Sequence, residues 1–156
     1  MHTSSANPLS KSDRQIRWSY RDIPLSHASH APGRVAWMPP PQSVPVESRL
    51  EAKVLAFLVS HANLAAVHSQ PFTLTYKDGG NTRTYTPDFL VVFTRVPKTL
   101  RLLGFDRWTA VEVKPACHLD SQNSDVPRRL QAVRDRLCFA TVCLTERDLP
   151  SGRVSP

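Results

Sequence analysis

The chain has few cysteines. Cys117, Cys138 and Cys143 are an odd set with no Cys-x-x-Cys spacing, which argues against a disulfide-built scaffold and against a thiolate zinc module. Cys117-His118 is a zinc or thiol candidate by composition, but the remaining ligands of such a site do not stand out, and His27, His30, His61 and His68 have no metal-ligand spacing. No apolar run approaches the roughly 20 residues that span a bilayer, and no signal-peptide core follows Met1. A cytoplasmic protein with no membrane partner is expected. Internal repeats, zinc-finger spacing and a clear helix-turn-helix are also missing, so the chain has few devices for reading base edges. Acidic residues are the scarcer charge: 13 against 20 Lys and Arg, a net charge of +7 and a pI near 9.8. That balance suits a polyanionic partner. The basic residues are spread along the chain, which favours a basic cleft over a basic tail.

At 156 residues the chain is expected to hold one folded domain. Residues 1–45 contain seven of the fourteen prolines and read as an extended arm. In that arm Arg14, Arg17, Trp18, Tyr20 and Arg21 interleave cations with aromatics; they form either a DNA- or partner-contacting element or a segment packed on the domain. Residues 46–149 form the domain, and 150–156 a tail. Within the domain, Ser48 caps an amphipathic helix to Ser60, with Leu50, Val54, Phe57 and Leu58 at helical period. Phe72–Lys77 alternates as a strand, and Asp78-Gly79-Gly80-Asn81 is a hairpin turn. Thr84–Phe93 and Thr109–Val113 are strand-forming. Thr94–Arg107 reads as a basic loop or hairpin extension, Pro127–Leu137 as a basic helix, and Cys138–Thr145 as a last strand. The order is αβββαβ, an α/β chain.

Two short blocks carry chemistry. Thr86-Pro87-Asp88-Phe89 sets an acid inside an apolar strand, which is costly unless something pairs with it. Pro87 cannot donate to a ladder, so the strand is bent or at an edge there. Val111-Glu112-Val113-Lys114 sets Glu112 and Lys114 on one strand face with Ala110, opposite Val111 and Val113. Read alone, Pro-Asp is a turn pair and Glu-x-Lys ordinary surface charge. Together they match a divalent-cation site for phosphodiester hydrolysis. Mg²⁺ or Mn²⁺ takes one or two carboxylates, here Asp88 and Glu112, with the Val113 carbonyl as a further oxygen. Lys114 would hold or deprotonate the attacking water and offset phosphate charge. Glu51, on the helix side shared with Leu55 and Leu58, is either a first-turn carboxylate favoured by the helix dipole or a further metal or water ligand. Glu47 is its backup.

Ser48-Arg49-Leu50-Glu51, Ser69-Gln70-Pro71-Phe72, Tyr85-Thr86-Pro87-Asp88-Phe89 and Val111-Glu112-Val113-Lys114 occur in this order and resemble the successive blocks of TnsA-like transposon-end endonucleases. These belong to the PD-(D/E)xK restriction-endonuclease-like superfamily. The resemblance covers roughly Val46 to Leu149. It implies a restriction-endonuclease-like core, an α/β fold with a central mixed four-stranded sheet flanked by helices, with Glu51, Asp88, Glu112 and Lys114 at the site, dependence on Mg²⁺ or Mn²⁺, and a place beside nucleoid DNA. It also implies cleavage of the non-transferred strand at transposon ends, as a subunit working with a DDE transposase and an AAA+ ATPase regulator. Longer members carry a second, C-terminal domain, similar to a winged helix, that contacts the ATPase; this sequence ends at Pro156, soon after the last core strand. Two rival readings are another nuclease of the superfamily, of resolvase, restriction or repair type, and a catalytically idle DNA-binding or assembly module. The intact Asp88, Glu112 and Lys114 set argues against the second.

Overall fold

Ser48 starts the first helix as its sequence position predicts. Its hydroxyl accepts from the Glu51 N–H at 3.1 Å and donates to Glu51 Oε1 at 3.0 Å, while Glu51 Oε2 accepts the Glu47 N–H at 2.8 Å. This reciprocal exchange satisfies first-turn donors that would otherwise have no partner. Helix α1 then runs Arg49–Val59 and buries Val54, Leu55 and Leu58. Ser48→Ala is expected to cost about 1 kcal/mol in urea unfolding.

The computed structural model describes residues 16–18, 33–36, 43–120 and 124–151. Strands β1 (Ile16–Trp18), β2 (Gly33–Ala36) and β3 (Ser43–Val46) precede α1, and β4 (Leu64–Ser69), β5 (Phe72–Asp78), β6 (Asn81–Tyr85) and β7 (Phe89–Phe93) follow it. Then come α2 (Lys98–Leu102), β8 (Trp108–Val113), α3 (Ala116–Leu119), α4 (Val126–Leu137), β9 (Ala140–Leu144) and a 3₁₀ turn at Glu146–Asp148. The central sheet has four strands in the order β4-β7-β8-β9. Its first two pairings are antiparallel and β8–β9 is parallel. This is the α/β, mixed four-stranded core expected from the sequence, compatible with a restriction-endonuclease-like fold. No helix among the described residues is long and apolar enough to cross a membrane.

The strand membership differs from expectation in two places. Phe72–Lys77 was expected in the central sheet, but β5 pairs with β1 and β6 in a separate three-stranded sheet, and β4 takes the edge position. Leu64–Ser69 follows α1 directly and contains two alanines and a histidine, a weak strand signal that tertiary pairing overrides. Thr84–Phe93 is also not one strand. It breaks at Thr86-Pro87-Asp88, where the chain passes from the smaller sheet to the central one. Proline's missing donor makes that break natural.

Each face of the central sheet has its own core. Val111 and Val113 join Phe89, Val91 and Phe93 beneath α1. Ala110 faces the other way and packs with Val126, Leu130 and Val133 of α4 and with Phe72, Leu74, Tyr76 and Tyr85 of the smaller sheet. The β5–β6 hairpin turns at Gly79 and Gly80, with φ of 55° and 85°, the two positive values that a two-residue type I′ turn requires. The basic segment from 94 to 107 contains α2, and its Leu100 and Phe105 close the end of the α1 core. Of the cation-aromatic run near the N-terminus, Arg17 and Trp18 lie in β1, and Trp18 meets Phe72 edge-on at 5.2 Å. Arg14, Tyr20 and Arg21 lie outside the described residues. Cys138, expected in the last strand, instead ends α4 in a left-handed conformation with φ 54° and is exposed. That helix cap puts it before β9.

Candidate active site

Asp88 and Glu112 meet where β7 and β8 part. The ladder between these strands pairs Phe89 with Val111 and Leu90 with Ala110. Carried one residue further, the same register sets Asp88 opposite Glu112 on one sheet face. On either side the row continues with Gln70 at the end of β4 and Cys143 in β9, which pairs with Glu112. The last β8 donor is not orphaned at the break: the Val113 N–H donates to Asp88 Oδ2 at 2.7 Å. The Asp88 side chain thus takes the place of a strand partner. Gln70 supports the break from the other side. It is buried, adopts a φ of 45°, and its N–H donates to the Asp88 carbonyl at 2.9 Å.

Glu112 is only 2% exposed, and a buried carboxylate needs donors. Two described residues supply them. Lys114 Nζ lies 3.1 Å from Oε1, and the Tyr85 hydroxyl donates to Oε2 at 2.6 Å. The alternation of β8 therefore gives what the sequence predicted: Glu112 on the Ala110 side, with Lys114 folded back over it. Burial and then the negative charge of Glu112 push Asp88 up to about 8, against hydrogen bonding from Val113. For Lys114, burial works to lower the ammonium's pKa, but Glu112 and then Asp88 hold it above its ordinary value. Cys143 beside them is pushed up to about 11 by burial and by Glu112, so its thiol stays neutral at neutral pH.

Glu51 stands at the margin. Its two oxygens engage Ser48 and Glu47, and burial raises its pKa while these hydrogen bonds and, more weakly, Lys114 oppose the rise. It is near enough for its charge to contribute to the upward shift of Asp88. Among the described residues no three acidic, histidine or cysteine side chains form a group able to hold a metal. A hard divalent cation would therefore meet two side-chain carboxylates, with waters and main-chain oxygen completing its shell. Mg²⁺ commonly takes such a set. The chemistry fits: two opposed acids, one pushed towards its protonated form by burial and by the other's charge, are relieved by a cation between them.

Tyr85, which the sequence pattern marks only as the start of the Tyr-Thr-Pro-Asp-Phe block, is a member of the cluster. The signal that could have found it is the spacing from Tyr85 to Asp88 across Pro87, which makes one turn deliver both side chains. Arg129 of α4 lies over the Tyr85 ring at 5.7 Å and is itself held by Asp125, with Nε to Oδ2 at 2.9 Å. That contact could not be read before the helix was docked.

A family model described as TnsA-like endonuclease N terminal matches residues 61–149. The matched stretch contains Gln70, Tyr85, Asp88, Glu112 and Lys114 and begins after Glu51. No curated protein matches the chain.

Proposed function

The chain belongs to the TnsA-like endonuclease family, and from that premise we propose that it is a divalent-metal-dependent DNA endonuclease that cuts the non-transferred strand at transposon ends. The observation that carries the reading is the juxtaposition of Asp88 and Glu112 at the end of two paired strands, with Lys114 on Glu112. In this reading Asp88 and Glu112 hold Mg²⁺ or Mn²⁺, with the Val113 carbonyl beside them and Glu51 in an outer position. A cation bound there supplies Lewis acidity towards the phosphodiester and makes water a better nucleophile. Lys114 orients the attacking water and offsets the charge that grows on the phosphate. Glu51 fixes the start of α1 beside the cluster and adds a negative charge that favours the cation.

The substrate and partners follow from the same reading. A chain of net charge +7 without a base-reading motif contacts mainly phosphates. Sequence choice then comes from a DDE transposase bound at the transposon end, with an AAA+ regulator as part of the same assembly. The isolated chain is expected to bind DNA weakly and without sequence preference. With six or more phosphate contacts, affinity falls about 10³-fold or more between 50 and 200 mM salt. Site-directed nicking should need Mn²⁺ and the cognate transposase together, read on end-labelled transposon-end DNA. Tight, salt-insensitive binding of one sequence by the chain alone would point to an independent nuclease instead.

A further inference from the structure

We propose that Tyr85 is the positioning residue that fixes the Glu112 carboxylate for its cation. This rests on the metal-dependent reading above. Lys114 and Tyr85 both donate to Glu112, and they differ in kind. Lys114 brings a full positive charge to Oε1 at 3.1 Å. A divalent cation on the same carboxylate competes with that ammonium for the same negative charge. Tyr85 brings a neutral hydroxyl to Oε2 at 2.6 Å, so its bond does not oppose cation binding. It can hold the carboxylate in one orientation both before and after a cation arrives, and leaves Lys114 free to turn towards water or phosphate.

The placement of Tyr85 suits that task. It is 4% exposed and is the last residue of β6, in the smaller sheet, whereas Glu112 belongs to the central one. The bond therefore ties the two sheets together at the site. Tyr85 is also three positions before Asp88, so the turn through Pro87 fixes a carboxylate on one side and the hydroxyl that orients its partner on the other. The Arg129 guanidinium over the ring, braced by Asp125, limits the ring's movement from the α4 side. Ligating carboxylates are commonly held by such outer hydrogen bonds, and losing one typically weakens metal binding or activity about 10- to 100-fold.

The test uses Tyr85→Phe, which keeps the ring and removes one oxygen. Mn²⁺ binding to the DNA-free full chain is measured by calorimetry, with thermal unfolding in parallel. Tyr85→Phe should bind Mn²⁺ about 10-fold or more weakly while still unfolding cooperatively, and nicking should fall with it. Tyr76→Phe serves as the comparison, since Tyr76 is a buried tyrosine of the same cluster with no bond to Glu112; its Mn²⁺ affinity should match wild type. A Tyr85→Phe protein that binds Mn²⁺ within twofold of wild type overturns the assignment and leaves the nuclease reading standing. Equal weakening in both variants also overturns it, by showing a general packing effect. A wild-type chain that binds no Mn²⁺ removes both the assignment and the metal-dependent reading beneath it.

Discussion

Asp88→Asn is expected to abolish DNA cleavage and, without divalent cations, to make the protein more stable. The loss should be about 10³-fold or more, because a bound cation supplies several kcal/mol and each ~1.4 kcal/mol is tenfold in rate. The gain in stability has a separate cause. Burial and the charge of Glu112 raise Asp88 from 3.8 to about 8. Between those values the native state holds a proton that the unfolded chain has released. Stability is therefore full below the lower value and is lost as pH rises through the upper one. Asparagine has no proton to lose. The melting-temperature difference between variant and wild type should be near zero at acid pH and largest above the upper value. There it should reach at least about 4 °C, the shift that about 1 kcal/mol gives in a domain of this size. Mn²⁺ should raise the wild type only. Wild-type cleavage rates in purified Asp88→Asn with Mn²⁺ would sink the enzyme reading.

Lys114→Met should also remove cleavage, by about 10²-fold or more, the scale for one group that stabilises transition-state charge. Its effect on metal-free stability has the opposite sign. The ammonium is partly exposed, so the ion pair itself contributes little. Glu112, however, is buried and would lose its charged donor, keeping the neutral Tyr85 hydroxyl. Leaving part of a buried charge without its donor costs about 1–3 kcal/mol, so the midpoint of urea unfolding should fall. Mn²⁺ should restore much of it by taking over the charge. One site with two substitutions of opposite sign in the metal-free state separates a strained acid pair from a generally fragile region. If both variants destabilise the metal-free protein alike, the account of Asp88 as a repelled carboxylate is wrong.

The candidate residues were legible because their signals are local. Glu112 and Lys114 alternate with valines on one strand, and Asp88 follows a proline that must break a ladder. Ser48 and Glu51 sit at capping spacing ahead of an amphipathic helix. What could not be read was which strands pair. Phe72–Lys77 alternates better than Leu64–Ser69, yet the weaker stretch joins the central sheet and the stronger one the smaller sheet. The pairing joins segments far apart in the chain, which no window of sequence contains. Tyr85 was hidden for the same reason: its partner is Glu112, in a different sheet. Cys138 was misplaced because a left-handed residue at a helix end leaves no hydrophobic pattern. The family match begins at residue 61, so it adds nothing to the standing of Glu51, which rests on the geometry around Ser48.

The parallel pairing of β8 with β9 bears on when the candidate site is assembled. Glu51, Asp88, Glu112 and Lys114 have all been synthesised before Ala140–Leu144, yet β8 is an inner strand only once those residues lie beside it. Parallel neighbours need a crossover, and α3 and α4 supply it. A nascent or truncated chain stopping short of Ala140 would carry Glu112 on a strand with one open edge. Such an edge invites pairing with other chains rather than orderly chemistry. Long-range closure of this kind is also slow to form. The strand that carries Glu112 is thus flanked on both sides only once Ala140–Leu144, which holds no candidate acid, has docked.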